Sequence, residues 1–160
     1  MRLAEAQEAR RKPNLSVSLV DGYVRFVDEE RLRAYAFLIS ISNPTDTSNS
    51  VTHFGLRVNY ATTGGLRTSV VVSAAEVLAS SSQGDAQGAV LQAPLKVDAH
   101  QTIAGWVPFR VKYDLIGEGL IEDYVIVATD THGNKALRET VLVREMFHVE
   151  EKSTGQSGQG

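Results

Sequence analysis

The sequence predicts an all-β protein, an antiparallel β-sandwich of about seven to nine strands. Apolar residues alternate with polar residues in several separate runs, as in half-buried strands. Turn-forming residues divide these runs at intervals of about 8–15 residues. Alternation of strands with helices, which would predict a parallel α/β sheet, is missing.

The N-terminal half of the chain predicts strands over residues 15–19, 23–27, 35–41, 54–60 and 67–73. We expect Asp21-Gly22 to form the turn between the first two strands. Asn43-Pro44 should end the third strand, because both residues favour turns. The β-branched run Val70, Val71 and Val72 favours an extended fifth strand.

The C-terminal half predicts extended segments over residues 95–97, 107–113, 124–130 and 136–144. Residues 131–134, Thr-His-Gly-Asn, should form the turn between the last two strands. On the strand over residues 107–113, Val107, Phe109 and Val111 share one face, which we expect to be the core face. Trp106, Pro108 and Arg110 then lie on the outward face. Because proline removes a ladder donor, Pro108 also predicts that this strand is near a sheet edge or bulged. An exposed edge there would offer a route to strand addition by a partner chain.

The chain divides into three parts. Residues 1–12 are rich in Ala, Glu, Gln and Arg and predict a short polar helical leader, which Pro13 ends. Residues 13–146 should form the sandwich. Residues 147–160 include a Gly, Ser and Gln-rich stretch and are expected to be a disordered tail.

Composition argues against several functional classes. The formal net charge is −3, and no long basic run is present, so we do not expect nucleic-acid binding. The absence of cysteine removes disulfides, thiolate catalysis and cysteine metal sites. No apolar run reaches the about 18 residues of a transmembrane helix. The charged N-terminus does not resemble a signal peptide, and the compartment stays open.

The run from Tyr124 to Asn134, Tyr-Val-Ile-Val-Ala-Thr-Asp-Thr-His-Gly-Asn, followed by residues 139–143, resembles the final strand pair of bacterial immunoglobulin-like and fibronectin type III-like domains. The resemblance covers about 20 residues and concerns the fold. It implies an immunoglobulin-like sandwich in which Tyr124 occupies the position of the tyrosine corner. The chain departs from antibody domains because it has no core cysteines and its single tryptophan comes late, at Trp106.

The sequence contains no recognisable catalytic, metal-binding or cofactor-binding motif. No histidine pair has helical zinc-site spacing, and no Gly-x-Ser-x-Gly elbow occurs. The acids at residues 28–30, and Glu118, Glu122 and Asp123, lack the spacing of calcium loops. An enzyme site assembled across strands from His53, Asp130 and His132 is the least favoured alternative.

We therefore expect a non-catalytic module for protein–protein interaction, self-association or structural assembly, with no cofactor. Trp106, Pro108 and Arg110 are the candidate binding residues, because large rigid rings and arginine often dominate interfaces. Cover of Trp106 by the chain itself is the structural alternative. A second functional hypothesis is a carbohydrate or small-ligand-binding sandwich in which Trp106 is a stacking surface.

Overall fold

The computed structural model describes residues 14–76, 89–140 and 144–145 of the 160-residue chain. The predicted leader over residues 1–12 and the predicted tail over residues 147–160 lie outside these residues. Nine strands account for most of the described chain: β1 Ser16–Val27, β2 Leu32–Ser42, β3 Asn49–Ala61, β4 Arg67–Ser73, β5 Leu95–Val97, β6 Thr102–Lys112, β7 Leu120–Asp130, β8 Lys135–Thr140 and β9 Arg144–Glu145. A single short helix, α1 (Tyr113–Ile116), connects β6 to β7 in this part of the chain. The predicted all-β class is confirmed.

Sheet A has the strand order β6-β2-β1-β9. β2 pairs antiparallel with β1 on one side and with β6 on the other, along its whole length. Its alternation places Phe37, Ile39 and Ile41 fully inside the core. The period-two pattern of this segment therefore predicted its buried face correctly.

The predicted turn at Asp21-Gly22 is wrong, because β1 continues without interruption through both residues. The pairing register with β2 shifts between Leu19 and Asp21, so Val20 is the extra residue of a β-bulge. Gly22 packs closely against the core at this point and is not part of a turn. A Cβ atom there would lie 3.0 Å from Cδ1 of the buried Phe37 ring.

Sheet B has the order β4-β3-β7-β8, and β5 pairs with the first residues of β3. β4 pairs with residues 55–61 of β3, whereas β5 pairs with residues 49–51. β7 pairs with β3 over almost its full length. β4 and β5 therefore follow one another along the same side of β3, opposite β7.

The inner faces of the two sheets share one apolar core. At its centre, the hydroxyls of Tyr35 in β2 and Tyr124 in β7 lie 2.9 Å apart. Their rings meet edge to face, with centroids 5.1 Å apart. The hydroxyl of Tyr124 thus bonds a side chain of the opposite sheet, whereas a tyrosine corner would bond the backbone.

The predicted final strand over residues 136–144 is wrong at its C-terminal end. Among the residues that the structure describes, β8 pairs with β7 from Lys135 to Thr140. Arg144 and Glu145 form β9, which pairs parallel with Tyr23 and Val24 of β1 in the other sheet. The chain therefore changes sheets after β8. Within the described residues, the chain forms no helix with the length and hydrophobicity needed to span a bilayer.

Candidate binding face

The predicted outward face of β6 lies on the outer side of sheet A. Val107, Phe109 and Val111 are fully buried, so the alternate residues Trp106, Pro108 and Arg110 point away from the core. The pairing register places Trp106 beside Leu38, Pro108 beside Ala36 and Arg110 beside Ala34. Trp106 and Pro108 are half-buried, whereas Arg110 is exposed.

Tyr23 of β1 completes an aromatic pair with Trp106. The two ring centroids are 5.8 Å apart, and the ring planes are tilted by 38°. The Tyr23 hydroxyl donates to Oδ2 of Asp21 over 2.7 Å, while Oδ1 of the same carboxylate accepts the backbone N–H of Gly22 over 2.9 Å. Asp21 therefore fixes the orientation of the Tyr23 ring. We refer to Tyr23, Ala36, Leu38, Trp106 and Pro108 together as the outer-face patch.

Two arginines adjoin the outer-face patch. Arg25 of β1 and Arg110 of β6 both pair with Ala34 of β2, from opposite sides. Both arginines are exposed, and no salt bridge joins either of them to another described residue. The small alanine side chain between them leaves both guanidinium groups accessible to a ligand with carboxylates.

Sequence reasoning missed Tyr23 and Arg25 as members of this face. Leu15 and Val17 face the core, and an unbroken period of two from them would turn Tyr23 inward as well. The bulge at Val20 shifts the alternation by one residue, so Gly22 and Val24 are buried instead. The sequence does not reveal this one-residue bulge, because Asp21-Gly22 directly after Val20 is a typical turn pair and was interpreted as one.

The edge of β6 beside the patch is not open to strand addition. β6 is an edge strand of sheet A, as Pro108 predicted. The backbone N–H of Trp106 donates to Ala89 over 2.9 Å, and its carbonyl accepts from Leu91 over 2.8 Å. The carbonyl of Pro108 accepts from Ala75 over 2.8 Å. The expected exposed edge at Pro108 is therefore wrong, because the segments on either side of residues 77–88 cover it.

His53, Asp130 and His132 do not assemble into a shared site. The ring of His53 lies on the outer face of sheet B, where Nε2 is 2.9 Å from Oγ of Ser73. Asp130 is buried, and its carboxylate accepts the backbone N–H groups of His132 and Asn134 in the β7–β8 turn. Among the described residues, no group of three or more His, Cys, Asp or Glu side chains is arranged to hold a metal ion.

The state of Asp130 fits this role in the turn. Burial opposes its ionisation, but hydrogen bonds from the Asn49 side chain and from the backbone of Asn134 and His132 hold the pKa of its carboxyl below the usual value. His53 and Ser73 line a cavity of about 420 Å³ together with Glu76. No hydrogen bond joins the His53 ring to a carboxylate of the described chain, so the pair lacks the third member of a triad.

Three of the acidic residues that were compared with calcium loops each contact a different side chain of the protein. Asp28 accepts a hydrogen bond from the Tyr113 hydroxyl over 2.8 Å. Glu122 pairs with Arg67 at 3.4 Å, and Asp123 accepts from the side-chain amide of Asn59. Of these contacts, the one between Asp123 and Asn59 joins two neighbouring strands, β7 and β3, whereas the one between Arg67 and Glu122 crosses β3.

No protein-family model matches the chain, and no characterised protein sequence matches it. Among solved structures, it is similar to an ApaA protein from Bordetella pertussis (14% identity over 82% of this chain and 94% of that chain, TM-score 0.39). It is also similar to the alkylpurine DNA glycosylase AlkC of Pseudomonas fluorescens, bound to DNA containing an abasic site analog (8% identity over 86% of this chain and 33% of that chain, TM-score 0.44). A third similar structure is that of a late embryogenesis abundant protein (15% identity over 89% of this chain and 79% of that chain, TM-score 0.39). These values assign no function to the chain.

Proposed function

We propose that the chain is a non-catalytic, immunoglobulin-like β-sandwich module that binds another protein through the outer-face patch. The observation that carries this proposal is the register of sheet A, which places an aromatic pair next to two exposed arginines. Aromatic rings and arginine are the residue types enriched at the centres of protein interfaces. The immunoglobulin-like type is supported by two mainly antiparallel sheets around one core and by the resemblance of the final strand pair.

The chemistry of the patch indicates the kind of partner. Arg25 and Arg110 have no described ionic partner, so an acidic group of the bound protein can form charge-assisted hydrogen bonds with them. The half-buried Trp106 and Pro108 offer apolar area beside those charges. A partner segment with an apolar side chain followed by carboxylates therefore matches the face best.

Affinity capture with matched variants tests this proposal. Arg110→Ala and Trp106→Ala should abolish capture of the specific partner, because each removes a contact at the patch. Lys135→Ala is the control, since Lys135 is also exposed but lies on sheet B. Cross-links from the partner should concentrate on Lys112, the next outward residue after Arg110 on β6.

Two results would contradict the proposal. One is capture of the same partner to the same extent by all variants, once urea unfolding shows that each is folded. The other is robust turnover of a substrate by the purified chain in a broad hydrolase screen, since no catalytic function is proposed.

The aromatic pair also supports a second candidate, a carbohydrate-binding face. Sugars stack on aromatic rings, and the Asp21 carboxylate beside Tyr23 is a hydrogen-bond acceptor for hydroxyl groups. The 38° tilt means that one sugar ring would stack on only one of the two aromatic rings. Trp106 is the single tryptophan, so its emission reports directly on binding. Blue-shifted, quencher-protected emission in the ligand-free monomer, or no response to a panel of oligosaccharides, would reject this candidate.

A further inference from the structure

The outer edge of β4 carries backbone groups that have no hydrogen-bond partner among the described residues. The backbone N–H of Thr62 donates to the carbonyl of Leu66 over 2.8 Å, and the N–H of Ala74 donates to the carbonyl of Phe54 over 3.0 Å. These two bonds show which residues of β4 direct their backbone groups toward β3. In an antiparallel ladder every second residue bonds to the neighbouring strand, so Thr68, Val70 and Val72 also bond to β3. The remaining residues point both N–H and C=O toward the edge: Arg67, Ser69, Val71 and Ser73. No backbone hydrogen bond joins these four residues to any other described segment.

Other described edges are protected in ways that β4 is not. The outer edge of β1 pairs with β9 only at Tyr23 and Val24, but the bulge at Val20 bends this strand, and bulges discourage strand addition. The edge of β6 is covered at Trp106 and Pro108 by the segments around residues 75 and 89–91. β8, at the other side of sheet B, carries three charged residues among six, and such charges discourage strand addition. β4 reads Arg-Thr-Ser-Val-Val-Val-Ser and contains no proline, lysine or glycine. Its one charge, Arg67, is at the end of the strand and is paired with Glu122.

We infer that β4 is a self-association edge, which pairs antiparallel with β4 of a second copy of this chain. This inference goes beyond the proposed function, because it uses a different surface and takes up the self-association that the sequence analysis expected. A two-fold axis through the edge requires antiparallel pairing, because it makes the interface isologous. With the axis at Val70, Ser69 lies opposite Val71 of the second copy, and Arg67 lies opposite Ser73. This register uses the outward N–H and C=O groups of all four edge residues.

The composition of β4 makes the pairing self-complementary. No like charges face each other in this register, because each Arg67 meets a Ser73. On the inner side, Val70 lies against Val70 of the second copy, and both are partly buried valines packed on the core. Cover of their remaining exposed area adds apolar stabilisation to the backbone hydrogen bonds. β-branched residues at these positions also favour the extended state that pairing requires.

Sedimentation velocity over a wide range of protein concentrations tests the inference. We expect a monomer–dimer equilibrium, and Val71→Lys should raise the dimer dissociation constant about ten- to a hundredfold, because a charge on an edge strand opposes pairing. Val20→Lys is the matched control. Val20 is 62% exposed and lies on the β1 bulge, whereas Val71 is 61% exposed on β4. The control should leave the dissociation constant unchanged.

A backbone variant and amide exchange identify the interface directly. Val71→Pro removes an N–H that makes no bond to β3, so the fold should persist while two symmetry-related hydrogen bonds of the dimer are lost. In the parent chain, the amides of Ser69 and Val71 should exchange more slowly at high concentration. The Trp106 amide, already bonded to Ala89, should not change with concentration.

The inference is overturned if the chain stays monomeric at every concentration, or if its dimer is insensitive to both Val71 variants. A monomer that still loses its partner on Arg110→Ala would refute the β4 edge alone. A β4-dependent dimer with no Trp106-dependent partner would refute the binding face alone. The two proposals therefore fail separately.

Discussion

The buried pair of tyrosine hydroxyls should be a strongly coupled polar contact in the core. Either hydroxyl of Tyr35 and Tyr124 can donate to the other over their 2.9 Å separation. Tyr35 is 2% exposed and Tyr124 is 8% exposed, so a hydroxyl that loses its partner has little access to water. Replacement by phenylalanine keeps the ring contacts and removes only the oxygen.

The expected magnitudes follow from this burial. Each single Tyr→Phe change should cost about 1–3 kcal/mol of unfolding free energy, since it leaves one buried hydroxyl unsatisfied. Tyr124→Phe should cost more than Tyr35→Phe, because the hydroxyl left behind is then the less exposed one. The double variant should be no less stable than the worse single variant, which gives a coupling energy of about 1 kcal/mol or more.

Urea unfolding followed by Trp106 fluorescence measures all four proteins of this double-mutant cycle. The slope of free energy against urea should stay constant, which shows that the changes alter stability rather than compactness. Strictly additive single effects, or single effects below about 0.3 kcal/mol, would mean that the hydroxyls are independently solvated. The reasoning from burial would then be wrong.

Further perturbations test other parts of the structure. Burial raises the pKa of Tyr35 above the value of about 10 that it has in the unfolded chain. Its contribution to stability is therefore complete below about pH 10 and falls as the pH rises further, by up to about 1.4 kcal/mol per pH unit. Alkaline denaturation that is unchanged by Tyr35→Phe would contradict this. Gly105→Ala should cost about 1–3 kcal/mol, because its Cβ would lie 2.6 Å from the carbonyl oxygen of residue 89, whereas Gly64→Ala has room and should be nearly neutral in chemical denaturation. Asp130→Ala should cost about 1–3 kcal/mol, because it removes the acceptor of the β7–β8 turn. His132→Ala should have little effect on the melting temperature, since only the backbone of His132 bonds to Asp130, and an equal loss in both variants would refute this account.

Local alternation was sufficient to predict the long strands. Phe54, Leu56 and Val58 are buried in β3, and Val107 and Phe109 are buried in β6, as their spacing indicated. Side-chain direction in a strand is a property of the backbone with a period of two, so it can be read without knowledge of neighbours. The same reading placed Trp106 and Arg110 on an outward face.

Contacts between segments that are distant in sequence could not be predicted from local alternation. The bulge at Val20 reversed the faces of β1 and brought Tyr23 to Trp106, because pairing with β2 rather than local preference set the register. The edge of β6 was closed by residues far from it in sequence, whereas the edge of β4 has no backbone partner among the described residues.

By itself, the sequence determined that the described chain is all-β and which residues of its long strands face the core, because both depend on local periodicity. Only the tertiary structure decided which strands pair, that β8 and β9 lie in different sheets, and which strand edges lack a partner within the described part of the chain. Backbone hydrogen bonds between strands are available to any extended segment, so their selection depends on how the whole chain packs.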